Sequence, residues 1–452
     1  MNANRRQFLG RSVQGTMGVT LAVSELASSA KAVPPSDRVV IGVIGTGGRG
    51  CQVAPWFAER ADVEIAYVCD VDPGRLANGV HAVEKVTGKG PKAVADFRRI
   101  LDDKQVDAVY APLPHHWHAL VTILACQAGK DIYVEHPASN NIWEGRKMLE
   151  AARKYHRVVQ VGTQNRSSSY GKSARELVHA GKLGDLHLVR VSNMFCRERL
   201  KRQPETPTPE GMNWDMWLGP APHRPYSETW VRDWLYFWDF SGGATTDDAD
   251  HQVDLARMVI GREEYPKSVY HAGGDFAFHD GAETPDTSLV TYEYEGMTLL
   301  LEQTWWAPYM KKTPEFIRQS ETLFPDWFPF NDSVIQIYGT KGMMLVGRHG
   351  GGWQLFDVNG QKIAEDKQPH LKVQEAHIAN FIECIRSRQR PNADIELNLV
   401  TTVMCHLANI SYRVGNRRLE FDANTFSFGN DQAADRYLKS SYREPWVVPE
   451  AV

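Results

Sequence analysis

The sequence predicts an α/β protein with an N-terminal doubly wound parallel sheet and a C-terminal α/β domain whose sheet is mostly antiparallel. Between residues 37 and 161, short apolar runs alternate with helical patterns, which is typical of parallel strands joined by crossover helices. From residue 186 onward, longer strands with partial alternation predominate. Helical patterns interrupt them only around 247–260, 373–387 and 396–414, so the second sheet is expected to be mostly antiparallel.

The composition indicates a soluble globular protein and excludes several classes. The chain has 452 residues, of which 42% are hydrophobic and 23% charged, and this length corresponds to two or three domains. A net charge of −4 provides no basic surface for nucleic acid as a main partner. The six cysteines form no C-x-x-C pair, which argues against a disulfide scaffold and a cysteine zinc site.

Residues 1–32 are expected to be an export signal rather than part of the fold. Asn4–Leu9 is a twin-arginine signature, and the apolar stretch Val13–Ala27 is too short for a stable membrane anchor. Ala30–Ala32 offers a cleavage site, which would start the mature chain near Val33. We therefore expect recognition by the twin-arginine export machinery and a periplasmic or exported protein. The alternative is an amphipathic helix with a chance Arg-Arg pair.

A dinucleotide-binding motif follows the first predicted strand, Val39–Ile44. Gly45 allows a tight turn, Gly47 allows close approach of a pyrophosphate, and Gly50 allows close packing of helix and strand. The amide groups at the start of the next helix would face that phosphate. The candidate cofactor residues of this loop are Gly45, Gly47, Gly48, Arg49 and Gly50.

An acidic residue stands where such folds bind the adenosine ribose. Asp70 lies 20 residues after Gly50, at the end of the second predicted strand, Val63–Cys69. A carboxylate there accepts hydrogen bonds from ribose hydroxyls and repels a 2′-phosphate, so the sequence favours NAD over NADP. Arg75 is close enough to keep NADP as the alternative.

The alternation of strands and helices then completes the first domain. A helix predicted to begin after Asn141 has a capping box, because Glu144 lies three residues further along. The further elements are strands Val106–Ala111, Asp131–Val134 and Val158–Val161 and the helix Trp117–Ala128. The predicted organisation is a signal peptide at 1–32, an NAD-binding Rossmann domain at 37–161, a substrate and oligomerisation domain at 162–425, and a tail at 426–452.

Several motifs in order resemble those of the Gfo/Idh/MocA family, which includes glucose–fructose oxidoreductase and inositol dehydrogenase. The resemblance covers nearly all of the mature chain and implies an NAD-dependent oxidoreductase that acts on a sugar hydroxyl, usually as a homodimer or homotetramer. The motifs are Gly45–Gly50, Pro114–His118, Ala128–Pro137, Gly181–Gly184, Trp214–Pro220, Thr246–Asp247 with His251 and Asp254, and Cys405–Ile410.

The segment Glu135-His136-Pro137 departs from the family pattern Glu-Lys-Pro. The resemblance places this segment beside the nicotinamide, together with Pro114 and His118. A lysine is a fixed positive charge, whereas a histidine near its usual pKa both accepts and donates a proton at pH 7. His136 is thus a candidate acid/base. The alternatives are diverted hydride chemistry and a packed histidine without a chemical role.

Asp247 and His251 match the D-x-x-x-H pair that the family places beside the substrate. Residues four apart lie on one helical face, so both side chains could reach one pocket. His251 would move the proton and Asp247 would orient it or bind a hydroxyl; alternatively, the acids in this segment cap a helix. Arg166 and Trp214 are further candidate substrate contacts.

The sequence also bears on metal binding and on the type of reaction. The cluster of His115, His116 and His118 has no E-x-x-H partner, so no metal is expected. An exported enzyme would need to keep its NAD bound and restore it in each cycle. This requirement fits an oxidoreductase acting on a sugar or glycoside hydroxyl, or a redox-neutral glycoside hydrolase. A binding protein that has lost catalysis is the third hypothesis.

Overall fold

The computed structural model describes residues 37–327, 331–348 and 351–452. The predicted export signal and its cleavage site lie outside these residues. Within the described part of the chain, no helix combines the length and apolar character needed to cross a membrane.

The first sheet has six parallel strands in the order β3-β2-β1-β4-β5-β6, which confirms the predicted doubly wound sheet. The order reverses between β1 and β4, and ligands bind such sheets at the carboxyl ends of these strands. Its strands are β1 Val39–Ile44, β2 Val63–Cys69, β3 Lys92–Val94, β4 Ala108–Ala111, β5 Asp131–Val134 and β6 Val159–Val161. Its helices are α1 Gly48–Ala58, α2 Pro73–Thr87, α3 Arg98–Asp102, α4 His115–Gln127 and α5 Ile142–Lys154.

The second sheet has nine strands in the order β14-β13-β12-β11-β7-β10-β9-β8-β15. All its pairs are antiparallel except β10 with β7, so the prediction of a mostly antiparallel sheet is also confirmed. The strands are β7 Leu186–Met194, β8 Ser268–Gly274, β9 Thr287–Tyr294, β10 Met297–Thr304, β11 Ile335–Gly339, β12 Gly342–Gly347, β13 Gly352–Asp357, β14 Lys362–Asp366 and β15 Leu419–Glu420.

Helices cover one face of this second sheet. Alternate side chains such as Val189, Leu299 and Leu301 are buried in one core with α9 and α12, whereas Leu289 and Tyr270 on the other face are about two-fifths exposed, at 43% and 41%. The helices of this half are α6 Ser169–His179, α7 Trp214–Leu218, α8 Glu228–Asp233, α9 Asp248–Ile260, α10 Glu315–Arg318, α11 His370–Ser387, α12 Ile395–Arg413 and α13 Gln432–Asp435.

Two segments from the C-terminal half pack against the first domain. On α11, Phe381 joins the core around Phe57 and Tyr133, with ring centroids 6.5 and 5.8 Å away. Near the C-terminus, Trp446 is 6% exposed and packs against Trp117, with ring centroids 5.2 Å apart. Its indole N–H donates to Asp215. The C-terminal tail therefore supports the helix that follows β4.

Replacing Trp446 with Ala should lower the free energy of unfolding by about 3–5 kcal/mol, because a buried aromatic side chain is lost and a cavity remains. Urea unfolding followed by circular dichroism measures this change. The control is Val447→Ala, since Val447 is 37% exposed and its truncation should cost less than about 0.5 kcal/mol. Equal effects of the two substitutions would contradict the packing role of Trp446.

Candidate active site

The glycine loop has the geometry expected of a pyrophosphate site. Gly45 has a φ of +99°, and a Cβ at Gly50 would lie 2.1 Å from the Gly45 carbonyl oxygen. A Cβ at Gly48 would meet no atom within 4 Å, and no side chain caps the start of α1. The free amide groups of α1 therefore face open space in a cleft of about 1240 Å³, including the part open to solvent.

Asp70 and Arg75 lie together at the ribose end of this cleft. The Asp70 carboxylate accepts hydrogen bonds from the Thr46 amide at 2.8 Å and the Asp72 amide at 3.0 Å. Burial raises its pKa. The Arg75 guanidinium would be 3.4 Å from a Cβ at Gly47. Because a carboxylate and a guanidinium both face the ribose position, the preference for NAD over NADP stays a prediction.

Glu135 anchors Arg49 at the centre of the cleft. The same Glu135 oxygen accepts hydrogen bonds from Arg49 Nε and from the Tyr110 hydroxyl, each at 2.8 Å. Arg49 also donates to Gln374 on α11, at 3.3 Å. Both Arg49 and Glu135 line the cleft, and their ion pair fixes the entry of α1 against β5; their contact with a cofactor stays a prediction.

The structure brings His136 and His251 into contact across the two domains. Their ring centroids are 3.8 Å apart with the planes inclined at 54°. His136 lines the cleft, and its buried Nδ1 has no hydrogen-bond partner among the described residues. Burial, reinforced by the positive charge of Arg348, lowers the pKa of His136 well below its usual value. His136 is therefore a neutral imidazole at pH 7 and able to accept a proton.

Asp247 lies at the start of α9 and completes this group. Its Oδ1 is 3.6 Å from Nε2 of His115, and it lines the same cleft as His136. Desolvation and the neighbouring Asp248 carboxylate raise the pKa of Asp247 to about 7. A carboxyl group with this pKa exchanges protons readily near neutral pH. Asp247 and His136 thus line one cleft, His251 contacts His136, and all three side chains are able to transfer protons.

The other histidines of the cluster predicted from the sequence support the cleft. His118 is fully buried, and its ring nitrogens contact the carbonyls of Pro137 at 2.7 Å and Leu113 at 2.8 Å. His115 contacts the Ser241 hydroxyl at 2.9 Å and lines the cleft, as Pro114 does. In the part of the chain that the structure describes, no group of three His, Cys, Asp or Glu side chains is arranged to hold a metal ion.

Arg166 and Trp214 are not brought to the cleft. The Arg166 guanidinium forms a buried ion pair with Asp254, with nitrogen–oxygen distances of 2.8–3.0 Å. Trp214 stacks on Trp217 with ring centroids 4.8 Å apart and donates to the Arg224 carbonyl. Both side chains thus have structural partners, and their predicted contact with substrate has no counterpart in this geometry.

The cleft also contains residues that sequence reasoning missed. Phe97 and Trp234 line it, and Tyr110 holds Glu135 from beneath. The His115 ring contacts Trp234 edge to face, with centroids 4.7 Å apart. The high density of tryptophan between Trp214 and Trp327 could have indicated an aromatic lining that includes Trp234. Phe97 lies in no recognisable motif.

Both halves of the chain match models of one protein family. Residues 39–163 match the Gfo/Idh/MocA model described as "Oxidoreductase family, NAD-binding Rossmann fold". Residues 172–305 and 341–448 match the model of the "Oxidoreductase family, C-terminal alpha/beta domain". The chain belongs to the Gfo/Idh/MocA oxidoreductase family. It is therefore an enzyme of the oxidoreductase class with an NAD-binding domain, which confirms the family resemblance and the predicted cofactor.

Individual relatives are more distant. The uncharacterized oxidoreductase YrbE of Bacillus subtilis is 26% identical over 312 residues, or 68% of this chain and 73% of the relative. A glycosyl hydrolase family 109 protein of Saccharopolyspora erythraea is 28% identical over 155 residues, covering 33% of this chain and 34% of that protein. The WlbA dehydrogenase of Bordetella pertussis, solved with NADH and UDP-GlcNAcA, has a TM-score of 0.62 at 20% identity, covering 85% of this chain and 99% of WlbA.

Replacing Asp247 with Asn should stabilise the cofactor-free protein at pH 8 but not at pH 3.5. Above a pKa of about 7, the folded wild-type protein bears the cost of a desolvated carboxylate. Below the pKa of about 3.9 that an aspartate has in the unfolded chain, Asp247 is protonated in both the folded and the unfolded state, so the desolvation cost disappears. The variant's advantage should therefore grow as the pH rises from about 4 to 7.

We expect a gain of about 1 kcal/mol at pH 8 in urea unfolding, since solvent at this partly exposed side chain screens part of the effect. The control Glu295→Gln removes a carboxylate whose side chain is 87% exposed and should show no such pH dependence. A gain of equal size at both pH values would contradict the assignment to Asp247.

Proposed function

We propose that this protein oxidises a secondary hydroxyl of a sugar or glycoside with tightly bound NAD. The observation that carries the proposal is the contact of His251 with His136, whose ring centroids are 3.8 Å apart, because His136 lines the cleft that begins at the glycine loop. The uncapped start of α1 and the open space at Gly48 fit a pyrophosphate, and Asp70 fits a ribose. These residues would hold the dinucleotide.

The proton-transfer groups would act on the substrate hydroxyl. Bound NAD supplies a hydride acceptor for the carbon that carries this hydroxyl. Neutral His136, which lines the cleft, accepts the hydroxyl proton. Its lowered pKa makes His136 a poor place to keep that proton, so the proton passes on to Asp247, whose pKa is about 7. The second imidazole, His251, stabilises the transient positive charge.

Two relationships support a sugar as substrate. WlbA, which shares this fold, was solved with NADH and a nucleotide sugar, and family 109 relatives are named glycosyl hydrolases. We further propose export to the periplasm by the twin-arginine pathway, with NAD loaded beforehand. A homodimer or homotetramer would form through the open face of the second sheet, where Leu289 and Tyr270 are exposed.

A redox-neutral glycoside hydrolase is the second candidate, and two observations favour it. The family 109 relatives are named glycosyl hydrolases, and His136 supplies a neutral base where the family typically has lysine. Oxidation to a ketone acidifies the neighbouring C–H. Loss of that proton then expels the protonated aglycone, and water adds to the resulting double bond. The reduced dinucleotide would supply the hydride that converts the ketone back to the alcohol. The net reaction is hydrolysis, with no change in cofactor redox state.

The test of the proposed function is the cofactor content of the purified mature protein. Denaturation without added nucleotide should release about one dinucleotide per chain, measured by enzymatic cycling for NAD and NADH. Tight binding follows because an exported enzyme has no external supply. An empty protein that binds NAD weakly and exchangeably would contradict the tightly bound cofactor and would favour a binding protein or a plain dehydrogenase.

Hydrolysis in deuterated water separates the two candidates. If the redox-neutral route operates, 4-nitrophenyl glycosides should be cleaved without NADH accumulation, and the sugar product should carry deuterium at the carbon that lost its proton. Mass spectrometry and proton NMR measure the label. Accumulation of NADH without deuterium incorporation would exclude the hydrolase and leave the oxidoreductase.

A further inference from the structure

A second cavity adjoins the cleft and shares Asp247 with it. It lies against the second sheet and has an empty volume of about 650 Å³, including the part open to solvent. Because Asp247 lines both cavities, a ligand in the side cavity lies next to the proton-transfer groups. The side cavity is defined by Asp247, Asp248, Asp332, Lys312, Trp305 and Tyr236.

Two buried polar groups in the side cavity are suited to a ligand. Trp305 is 5% exposed, and its indole N–H has no hydrogen-bond partner among the residues that the structure describes. Asp332 is 7% exposed, and its carboxylate receives a hydrogen bond from the Ser333 hydroxyl at 3.1 Å. A buried donor without a partner is costly, so a ligand oxygen that accepts from Trp305 would remove this cost. Asp332 has further lone pairs for ligand hydroxyls.

Aromatic rings form one wall of the side cavity. Trp305 packs edge to face against Phe195 at 4.5 Å and Tyr236 at 5.4 Å between ring centroids. Apolar C–H groups pack well on such rings while hydroxyls are bound at the edge. An aromatic wall beside a carboxylate and an indole N–H matches a ring compound that has hydroxyls at its rim and C–H groups on its face.

The charges in the side cavity select against anions. Three carboxylates, Asp247, Asp248 and Asp332, line the cavity, and two cations act on them, of which only Lys312 belongs to the lining. One cation, Arg348, is paired with Asp248 at 2.5 Å, and the other, Lys312, is exposed and counteracts Asp332. Burial raises the pKa of Asp332 to about 6, so this group is mostly ionised at pH 7. Asp247 belongs to neither pair and, with a pKa of about 7, is partly ionised at pH 7 and above, so an anionic ligand would meet its negative charge.

We propose that the side cavity is a subsite for an uncharged, hydroxyl-rich sugar ring and that it rejects uronates, sugar phosphates and nucleotide sugars. This inference rests on the proposed function in one respect, namely that the sugar bound in the side cavity is the substrate. Binding to the side cavity is measurable without turnover. A failure to bind sugar in NAD-containing protein is thus distinguishable from a failure to contain NAD.

The experiment is isothermal titration of the full-length mature protein, as purified, with matched methyl glycosides. The neutral probes are methyl glucoside, galactoside and mannoside, and each is compared with its methyl uronide. At pH 7.5, at least one neutral glycoside should bind at least tenfold more tightly than its uronide. Equal or tighter binding of the uronides, or no binding of any neutral glycoside, would overturn the proposal.

Asp332→Asn tests the assignment within the cavity, because it keeps the shape and removes one negative charge. We expect the dissociation constant of the neutral glycoside to rise several-fold and its advantage over the uronide to shrink. The control Glu295→Gln makes the same charge change on the surface and should alter neither value. If Asp332→Asn lowers the melting temperature, Trp305→Phe replaces it, and loss of the indole donor should again weaken the neutral glycoside. Unchanged binding in both folded variants would overturn the proposal.

Discussion

The contact between His136 and His251 is the constraint on which the proposed chemistry depends. His136 follows β5 of the parallel sheet, and His251 lies in the first turns of α9 in the second domain. A buried hydrogen-bond network packs against α9, the helix that carries His251. Asp254, one turn further along α9, accepts hydrogen bonds from Arg166 and from the Thr401 hydroxyl of α12. Removing one partner of such a buried pair typically costs about 3–5 kcal/mol.

Local signals predicted much of this fold. The central strands β1, β4 and β5 of the first sheet are short buried runs, so their apolar character is visible without knowledge of the tertiary structure, whereas the exposed edge strand β3 was not predicted. Gly45 needs a positive φ, and Gly50 lies too close to the Gly45 backbone for a side chain. Both constraints require glycine, so the sequence motif reveals them. In the second sheet, the alternating patterns predict strands Leu186–Phe195, Ser288–Tyr294 and Thr298–Trp305, which agree with β7, β9 and β10 to within one residue at each end. β13 and the two edge strands, β14 and β15, were not predicted, since β14 is mostly exposed and β15 has only two residues.

Long-range partners account for the site residues that were harder to predict. Arg166 follows β6 and was predicted to contact the substrate. Its partner is instead Asp254, which lies 88 positions away in the sequence, so no local pattern indicates this ion pair. Glu135 was expected to contact the cofactor, and its ion pair with Arg49, 86 positions away, became visible only in the structure. The sequence alone showed that His136 stands where the family typically has lysine. It did not show the neutral state of His136, because that state depends on burial and on Arg348.

The most direct measurement of the central claim is a single-turnover experiment on NAD-loaded protein mixed with neutral methyl hexosides, followed at 340 nm. Wild-type protein should give a burst of NADH. A His136→Ala variant should retain its NAD and melting temperature, but the burst rate should fall at least a hundredfold, in line with the loss of a general acid–base group. A variant that shows the wild-type burst rate would contradict the role of His136, and with it the proposed use of the histidine contact.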